Sequence, residues 1–210
     1  MAYILAILGG YLMGCSNMAY WLAKGRGVDL RSGGSGNLGA SNAVTMMGWK
    51  AGVITALHDG AKAFLAVLLF RFVFRDVEAI GTVAGVAAVY GHIFPFYLKF
   101  KGGKGISTAA GAVLALNPPA LLASGIVWAA LFFAFRYVSL ASIFAAALLP
   151  VFAWGAGKLG LWNVSDMELA LFILLGVLAI VKHISNIKRL LNGTESRFVK
   201  KKDNTENGEK

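Results

Sequence analysis

The chain is poor in charge, and poorest in acid. Asp and Glu number 10 against 20 Lys and Arg, and together the four types make up only 14% of 210 residues. Soluble domains carry about a quarter of their residues charged, so an ordinary water-soluble fold is excluded. Cysteine is almost absent: Cys15 stands alone inside the first apolar run, which excludes an intrachain disulfide and a thiolate metal cluster. The three histidines, His58, His92 and His183, lack the spacing of a zinc site, so no metal and no cofactor is expected. There is no convincing internal repeat, which argues against a transporter built from duplicated halves. Nor does any basic residue precede the first apolar run, so that run lacks the charged start of a signal peptide and reads as a retained first helix.

What is abundant is apolar. Hydrophobic residues make up 58% of the chain and the mean hydropathy is +0.68, the composition of an integral membrane protein. Runs of spanning length cover Ala2 to Leu22, Gly52 to Phe74, Ala79 to Leu98, Ala120 to Phe135, Val138 to Gly157 and Leu169 to Val181. A further run, Ile106 to Leu116, is about half a bilayer long at ~1.5 Å per residue. Asn117-Pro118-Pro119 breaks it from the next, because proline lacks a donor and restricts its predecessor.

Whether that short run crosses the membrane decides the topology, and the basic residues arbitrate. If it crosses and the N-terminus is outside, sixteen of the twenty Lys and Arg fall on the cytoplasmic side. If it does not, Arg136 and the basic tail move outside, against the positive-inside rule. The expected fold is therefore all-α: a polytopic membrane protein of about seven transmembrane helices, N-terminus outside and C-terminus cytoplasmic. Residues 1–199 form one domain, and residues 200–210 form a charged tail expected to be disordered. A net charge of +10 could suggest nucleic acid, but the basic residues lie in short loops beside apolar runs, so topology and anionic ligands explain them better.

Three polar stretches then share the cytoplasmic side. The first runs from Arg31 to Asn42, where four glycines permit sharp turns and Ser35, Asn37, Ser41 and Asn42 supply hydrogen-bonding groups for a phosphate or a polyol. The second places Gly102-Gly103-Lys104-Gly105 before the short helix, whose N-terminal amides and Lys104 suit a phosphate. It is not a Walker A loop: the first glycine of that motif is missing and Gly105 stands where Ser or Thr is required, so no nucleotide is implied. In the third, His183 and Asn186 are three apart on one helix face. Arg189, nearby, suits lipid headgroups.

Inside the second long run, His58, Asp59 and Lys62 are costly in lipid and must face protein or water. Asp59 and Lys62 are spaced to form an ion pair. Ser35, His183 and Asp59 make a triad on paper, without a nucleophile-elbow sequence to support it.

Together the three stretches resemble the bacterial membrane acyltransferases that move a fatty acyl group from acyl phosphate to glycerol 3-phosphate. The residues that carry the resemblance are Gly34 through Asn42, then Gly91-His92-Ile93-Phe94-Pro95 and Lys99 through Thr108, and finally His183, Asn186, Ile187, Arg189, Leu190, Gly193 and Glu195. The resemblance implies a seven-helix fold in the bacterial cell membrane, with a site facing the cytoplasm. It implies lysophosphatidic acid as product, membrane lipid as surroundings, and a functional partnership with the enzyme that makes acyl phosphate. By carry-over, Ser35, Lys104, His183 and Asn186 are the catalytic candidates. Gly36, Asn37, Asn42, Gly102, Gly103, Gly105 and Thr108 are candidates for binding substrate or its phosphate. The substrate's own phosphate would serve as base. One departure stands out: Thr45 occupies a position where the family usually has arginine. An alternative reading follows from it, a homologue without activity or with altered specificity that binds phosphorylated lipid precursors.

Overall fold

A computed structural model describes residues 1–198, and the expected charged tail from Lys200 to Lys210 lies outside the described residues. Among the described residues all regular structure is helical: α1 (Ala2–Cys15), α2 (Met18–Gly25), α3 (Ala40–Met47), α4 (Trp49–Val73), α5 (Ile80–Ile93), α6 (Ile106–Leu116), α7 (Pro118–Phe135), α8 (Val138–Lys158), α9 (Asp166–Lys182) and α10 (Ile184–Leu191). A 3-10 turn, Phe96–Leu98, follows α5.

The first apolar run, expected as one helix, is two. It breaks at Ser16-Asn17, where Ser16 leaves the helical region and the Asn17 side chain caps α2 by accepting from the Tyr20 amide at 2.9 Å. A break frees carbonyls that lipid cannot satisfy, so it persists only where protein supplies donors. The Tyr97 hydroxyl donates to the Cys15 carbonyl at 3.0 Å and Lys62 Nζ donates to that of Ser16.

Small residues let the inner helices touch backbone to backbone. A Cβ at Gly10 or Gly14 of α1 would strike the carbonyls of Ala84 or Ala88 on α5, and one at Gly111 of α6 would strike Gly60 of α4. Such contacts are the main source of helix association in lipid, where apolar burial gains nothing over the acyl chains. Between these helices lies an apolar core built from Ala63 and Val67 on α4, Val89 and Ile93 on α5, Val113 and Leu116 on α6, and Phe172 on α9. The outer helices α7 and α8 pack chiefly on each other, and α7 buries only Ala120 and Ser124.

Five helical segments are long and apolar enough to cross a membrane: Ala2–Gly25, Trp49–Val73, Ile80–Leu98, Pro118–Phe135 and Val138–Lys158. The pair α9 and α10, bent by 54° at His183, makes a sixth if counted together. With 11 residues, α6 is the short helix whose limits the sequence marks, and a seventh crossing depends on it. Its N-terminal end meets the C-terminal ends of α5 and α9 and the Arg31 to Gly39 loop, so the three polar stretches converge at one end of the bundle.

Candidate active site

The first loop is held by its own residues. Leu30 and Leu38 anchor its ends in a small apolar cluster with Ala19, Ala23, Ala43 and Leu98. Between them, Asn42 accepts the Ser35 amide at Oδ1, 2.9 Å away, and donates from Nδ2 to the carbonyls of Leu30 at 2.8 Å and Gly33 at 3.3 Å. Gly34 has φ +59°, and a Cβ there would run into Asn42 Oδ1. The loop is thus shaped around one buried amide, and Asn42 is spent on that shape. Ser35, Gly36 and Asn37, at the loop's tip, are exposed or half-buried.

Arg31 joins this loop to the next, donating from Nη2 to the carbonyls of Lys101 at 2.9 Å and Leu98 at 3.4 Å. In the second loop the amides of Gly102 and Gly103 donate to the carbonyls of Ile93 and His92 at 3.0 and 3.2 Å. These glycines are required because side chains have no room: a Cβ at Gly102 would strike the His92 carbonyl, and one at Gly103 the His92 ring. Their amides face inward. The groups left for an anion are the first-turn amides of α6, at Ile106, Ser107 and Thr108, which helix geometry leaves without an intrahelical partner. Gly105, with φ +85°, caps that helix. The Thr108 hydroxyl is fully buried with no hydrogen-bond partner, so it faces the protein rather than open space.

The third stretch meets the second at Lys104. Its Nζ donates to Asn186 Oδ1 at 2.5 Å, and Asn186 Nδ2 donates to Glu195 Oε1 at 2.7 Å. Glu195 is a node: Ser139 Oγ on α8 donates to its Oε1 at 2.6 Å, and Arg189 Nε to its Oε2 at 2.7 Å. Arg189, expected to meet lipid headgroups, is paired with this carboxylate instead. The node also fixes Asn186 with its oxygen toward Lys104, because Glu195 accepts only from the amide nitrogen. Burial pushes the Lys104 ammonium down to about 8, against the opposing pull of the Glu195 charge. Lys104 makes no ion pair among the described residues, so a half-buried cation stands at a helix N-terminus with only a neutral amide in contact.

His183 sits in the bend between α9 and α10, buried, with Nδ1 at 2.8 Å from the Ala179 carbonyl. A carbonyl only accepts, so Nδ1 carries the proton and Nε2 offers a lone pair. That carbonyl takes the place an acid would fill in a triad, and Asp59 is engaged by Lys62 at 3.0 Å, as their spacing predicts. Ser35, His183 and Asp59 therefore do not assemble as a triad. Sequence reasoning counted Glu195 only among matching residues; its role needs Ser139, which lies 56 residues away in the chain.

Two glycine loops and a bent helix that meet around Lys104, at one end of a helical membrane bundle, define the class: an integral membrane protein with a candidate site for an anion. A sequence profile described as glycerol-3-phosphate acyltransferase matches residues 4–193. A glycerol-3-phosphate acyltransferase of Dinoroseobacter shibae is 42% identical over 95% of this chain and 95% of its own length. One from Aquifex aeolicus is 40% identical over 94% of this chain and all of its own. The crystal structure of PlsY (YgiH), an integral membrane glycerol 3-phosphate acyltransferase in its glycerol 3-phosphate form, superposes with a TM-score of 0.87 at 38% identity, covering 95% of this chain and 96% of that one. The same protein's lysophosphatidic acid form gives 0.84. The chain belongs to the glycerol-3-phosphate acyltransferase family.

Proposed function

We propose that this protein transfers a fatty acyl group from acyl phosphate to glycerol 3-phosphate, releasing inorganic phosphate and lysophosphatidic acid at the cytoplasmic face of a bacterial cell membrane. The observation that carries the reading is Lys104: a cation without a contacting carboxylate among the described residues, beside free helix amides, in a family of which one member has been crystallised in a glycerol 3-phosphate form.

The chemistry asks little of the protein. Acyl phosphate is a mixed anhydride, so a hydroxyl oxygen of glycerol 3-phosphate attacks the acyl carbon and the acyl C–O bond to phosphate breaks. Phosphate leaves with that electron pair, and the hydroxyl proton passes to a phosphate oxygen of the substrates. Lys104 and the first-turn amides of α6 bind the phosphate of glycerol 3-phosphate and stabilise the charge that develops on the leaving phosphate. His183, through Nε2, and Asn186 hold the acceptor so that its hydroxyl lies near the acyl carbon. Ser35 at the first loop's tip supplies a further hydroxyl contact. The apolar helices accept the fatty chain, and the enzyme that forms acyl phosphate supplies the donor.

Acyl phosphate and acyl-coenzyme A, each offered with glycerol 3-phosphate to the purified chain, test the reading by the lysophosphatidic acid formed. Product from acyl phosphate alone, with matching phosphate release and no added metal, is expected. Product from acyl-coenzyme A alone, or none from either donor with both the native chain and its Thr45→Arg variant, would refute it.

A further inference from the structure

Behind the two glycine loops lies a cluster of charge that this chemistry does not use. Lys62, on α4, donates from Nζ to three acceptors: the Ser16 carbonyl, Asp59 Oδ1 at 3.0 Å and His92 Nδ1 at 2.9 Å. All three side chains, Lys62, Asp59 and His92, are buried, at 7%, 1% and 3% exposure. An ammonium has three protons and no lone pair, so every donor of Lys62 is taken, and His92 Nδ1 must be an acceptor. His58 adds a second tie to the same place, with Nε2 at 2.8 Å from Ser16 Oγ and Nδ1 at 3.5 Å from Asp59.

From this cluster two short paths lead to the ligand loops. On one side Ser16 is followed by Asn17, whose Nδ2 donates to the Leu38 carbonyl of the first loop at 3.2 Å. On the other, the His92 carbonyl receives the Gly103 amide of the second loop at 3.2 Å, and the His92 ring fills the space a Gly103 side chain would need. Gly103 in turn lies so close to the Leu38 carbonyl that a Cβ would crowd it, at 2.8 Å. The contacts close a circuit through Lys62, Ser16, Asn17, Leu38, Gly103 and His92.

Charges in a membrane core are expensive, and apolar residues of the same size hold helices together without that cost. What a directional, three-coordinate ammonium adds is one fixed arrangement of the groups around it. A phosphate site assembled from two separate loops needs that.

We propose that Lys62 is a positioning residue for the glycerol 3-phosphate site, setting the Leu38 and Gly103 backbones relative to each other from within the membrane. The proposal rests on the acyl-transfer reading for its ligand. Lys62 touches no substrate; Asp59 and His92 are its partners, and the broken helix at Ser16-Asn17 is the lever it holds.

The test uses the full chain in detergent, with Lys62→Arg and the double variant Asp59→Asn/Lys62→Met, which removes both charges together and so leaves no orphaned ion. Glycerol 3-phosphate affinity is measured by calorimetry, KM for each substrate by turnover, and folding by helix content and thermal midpoint. The double variant should fold and bind glycerol 3-phosphate at least about tenfold more weakly, the loss of one or two well-placed hydrogen bonds. Its KM for acyl phosphate should change by less than about threefold, and Lys62→Arg should recover most of the affinity. Native affinity in the double variant would overturn the proposal. So would equal losses for both substrates that track a lowered thermal midpoint, or failure of both variants to fold, since either makes the cluster merely structural. A native chain that binds glycerol 3-phosphate but, like its Thr45→Arg variant, turns nothing over would sink the acyl-transfer reading and leave the affinity comparison to judge Lys62. If neither the native chain nor Thr45→Arg binds glycerol 3-phosphate or turns it over, both are overturned.

Discussion

Lys62 and Lys104 are two lysines removed from bulk water, and they are treated in opposite ways. Lys62 has a carboxylate in contact and every proton assigned. Among the described residues Lys104 bonds only to the neutral oxygen of Asn186, while the Glu195 carboxylate is held one residue back by Ser139, Asn186 and Arg189. Withholding the counter-charge is what makes a cation available. An anion arriving at Lys104 meets a charge not yet neutralised, whereas one arriving at Lys62 would have to displace Asp59. The difference assigns Lys104 to the ligand and Lys62 to the scaffold, although both are lysines beside glycine-rich backbone.

The sharpest way to break that assignment is to unpair the sealed cluster. Asp59→Ala leaves Lys62 charged in the membrane core without its carboxylate, and removing one member of a buried pair costs about 3–5 kcal/mol. We expect little or no folded protein from this variant, read by its yield in detergent and its thermal midpoint. Folded, active protein would show that Lys62 does not need its carboxylate to be held in the membrane core. At the open site the effect should fall on rate instead. Lys104→Ala should lower kcat/KM for acyl transfer by at least about 100-fold with the thermal midpoint nearly unchanged, the usual scale for one preorganised donor to a developing anion. If turnover survives, the availability of Lys104 has no use.

A smaller effect is expected one step behind Lys104. Ser139→Ala removes one donor from Glu195, which retains Asn186 and Arg189, so the cost should be about 1–2 kcal/mol in stability. Because the remaining donors still orient Asn186, activity at a temperature where the variant is folded should fall by less than about tenfold. A loss as large as that of Lys104→Ala would move Glu195 from support to chemistry.

The titration of Lys104 sharpens the comparison further. Its proton is held with a pKa of about 8, lowered by burial, so the cation is present below that pH and is lost as pH rises through it. Phosphate monoesters have their second pKa near ~6, so the ligand keeps its charge over the same range. KM for glycerol 3-phosphate should therefore rise with pH above about 8, approaching tenfold per pH unit. In Lys104→Arg the guanidinium, with a pKa above ~12, should remove that rise. A rise that persists in the arginine variant would belong to another group.

Much of this was readable in the chain, and the unread part has a common cause. Ile106 to Leu116 stands out by its length and by the prolines after it, and α6 has those limits. Asp59 and Lys62 pair at the spacing a helix imposes. The break at Ser16-Asn17 was hidden because two small polar residues in an apolar run look continuous; the donors that sustain it, Lys62 and Tyr97, arrive from elsewhere. Gly102 and Gly103 are expected, by the resemblance, to bind substrate or its phosphate, and in the structure their amides bond to the Ile93 and His92 carbonyls. A glycine says that backbone comes close to something, and only the fold says to what.

The smallest expected effect belongs to Thr45, and it bears on whether the open site lacks a second cation. Its hydroxyl donates back to the Ser41 carbonyl at 3.1 Å, one turn earlier on α3, so it is spent within its own helix. Its methyl lies beside Gly34, next to the exposed tip that carries Ser35. Arg31, a cation of the same loop, is committed at Nη2 to the carbonyls of Leu98 and Lys101. Thr45→Arg would set a guanidinium on an exposed helix face within reach of that tip. Glycerol 3-phosphate should then bind a few-fold more tightly, below the tenfold that 1.4 kcal/mol represents, because an exposed charge pair is worth at most about 1 kcal/mol. Calorimetry at two salt concentrations checks this, since a gain from an exposed cation must shrink at high salt. A gain of a hundredfold would show that the open site depends on two cations and that Lys104 alone leaves it half built. No gain at either salt concentration would leave Lys104 as the cation the site depends on.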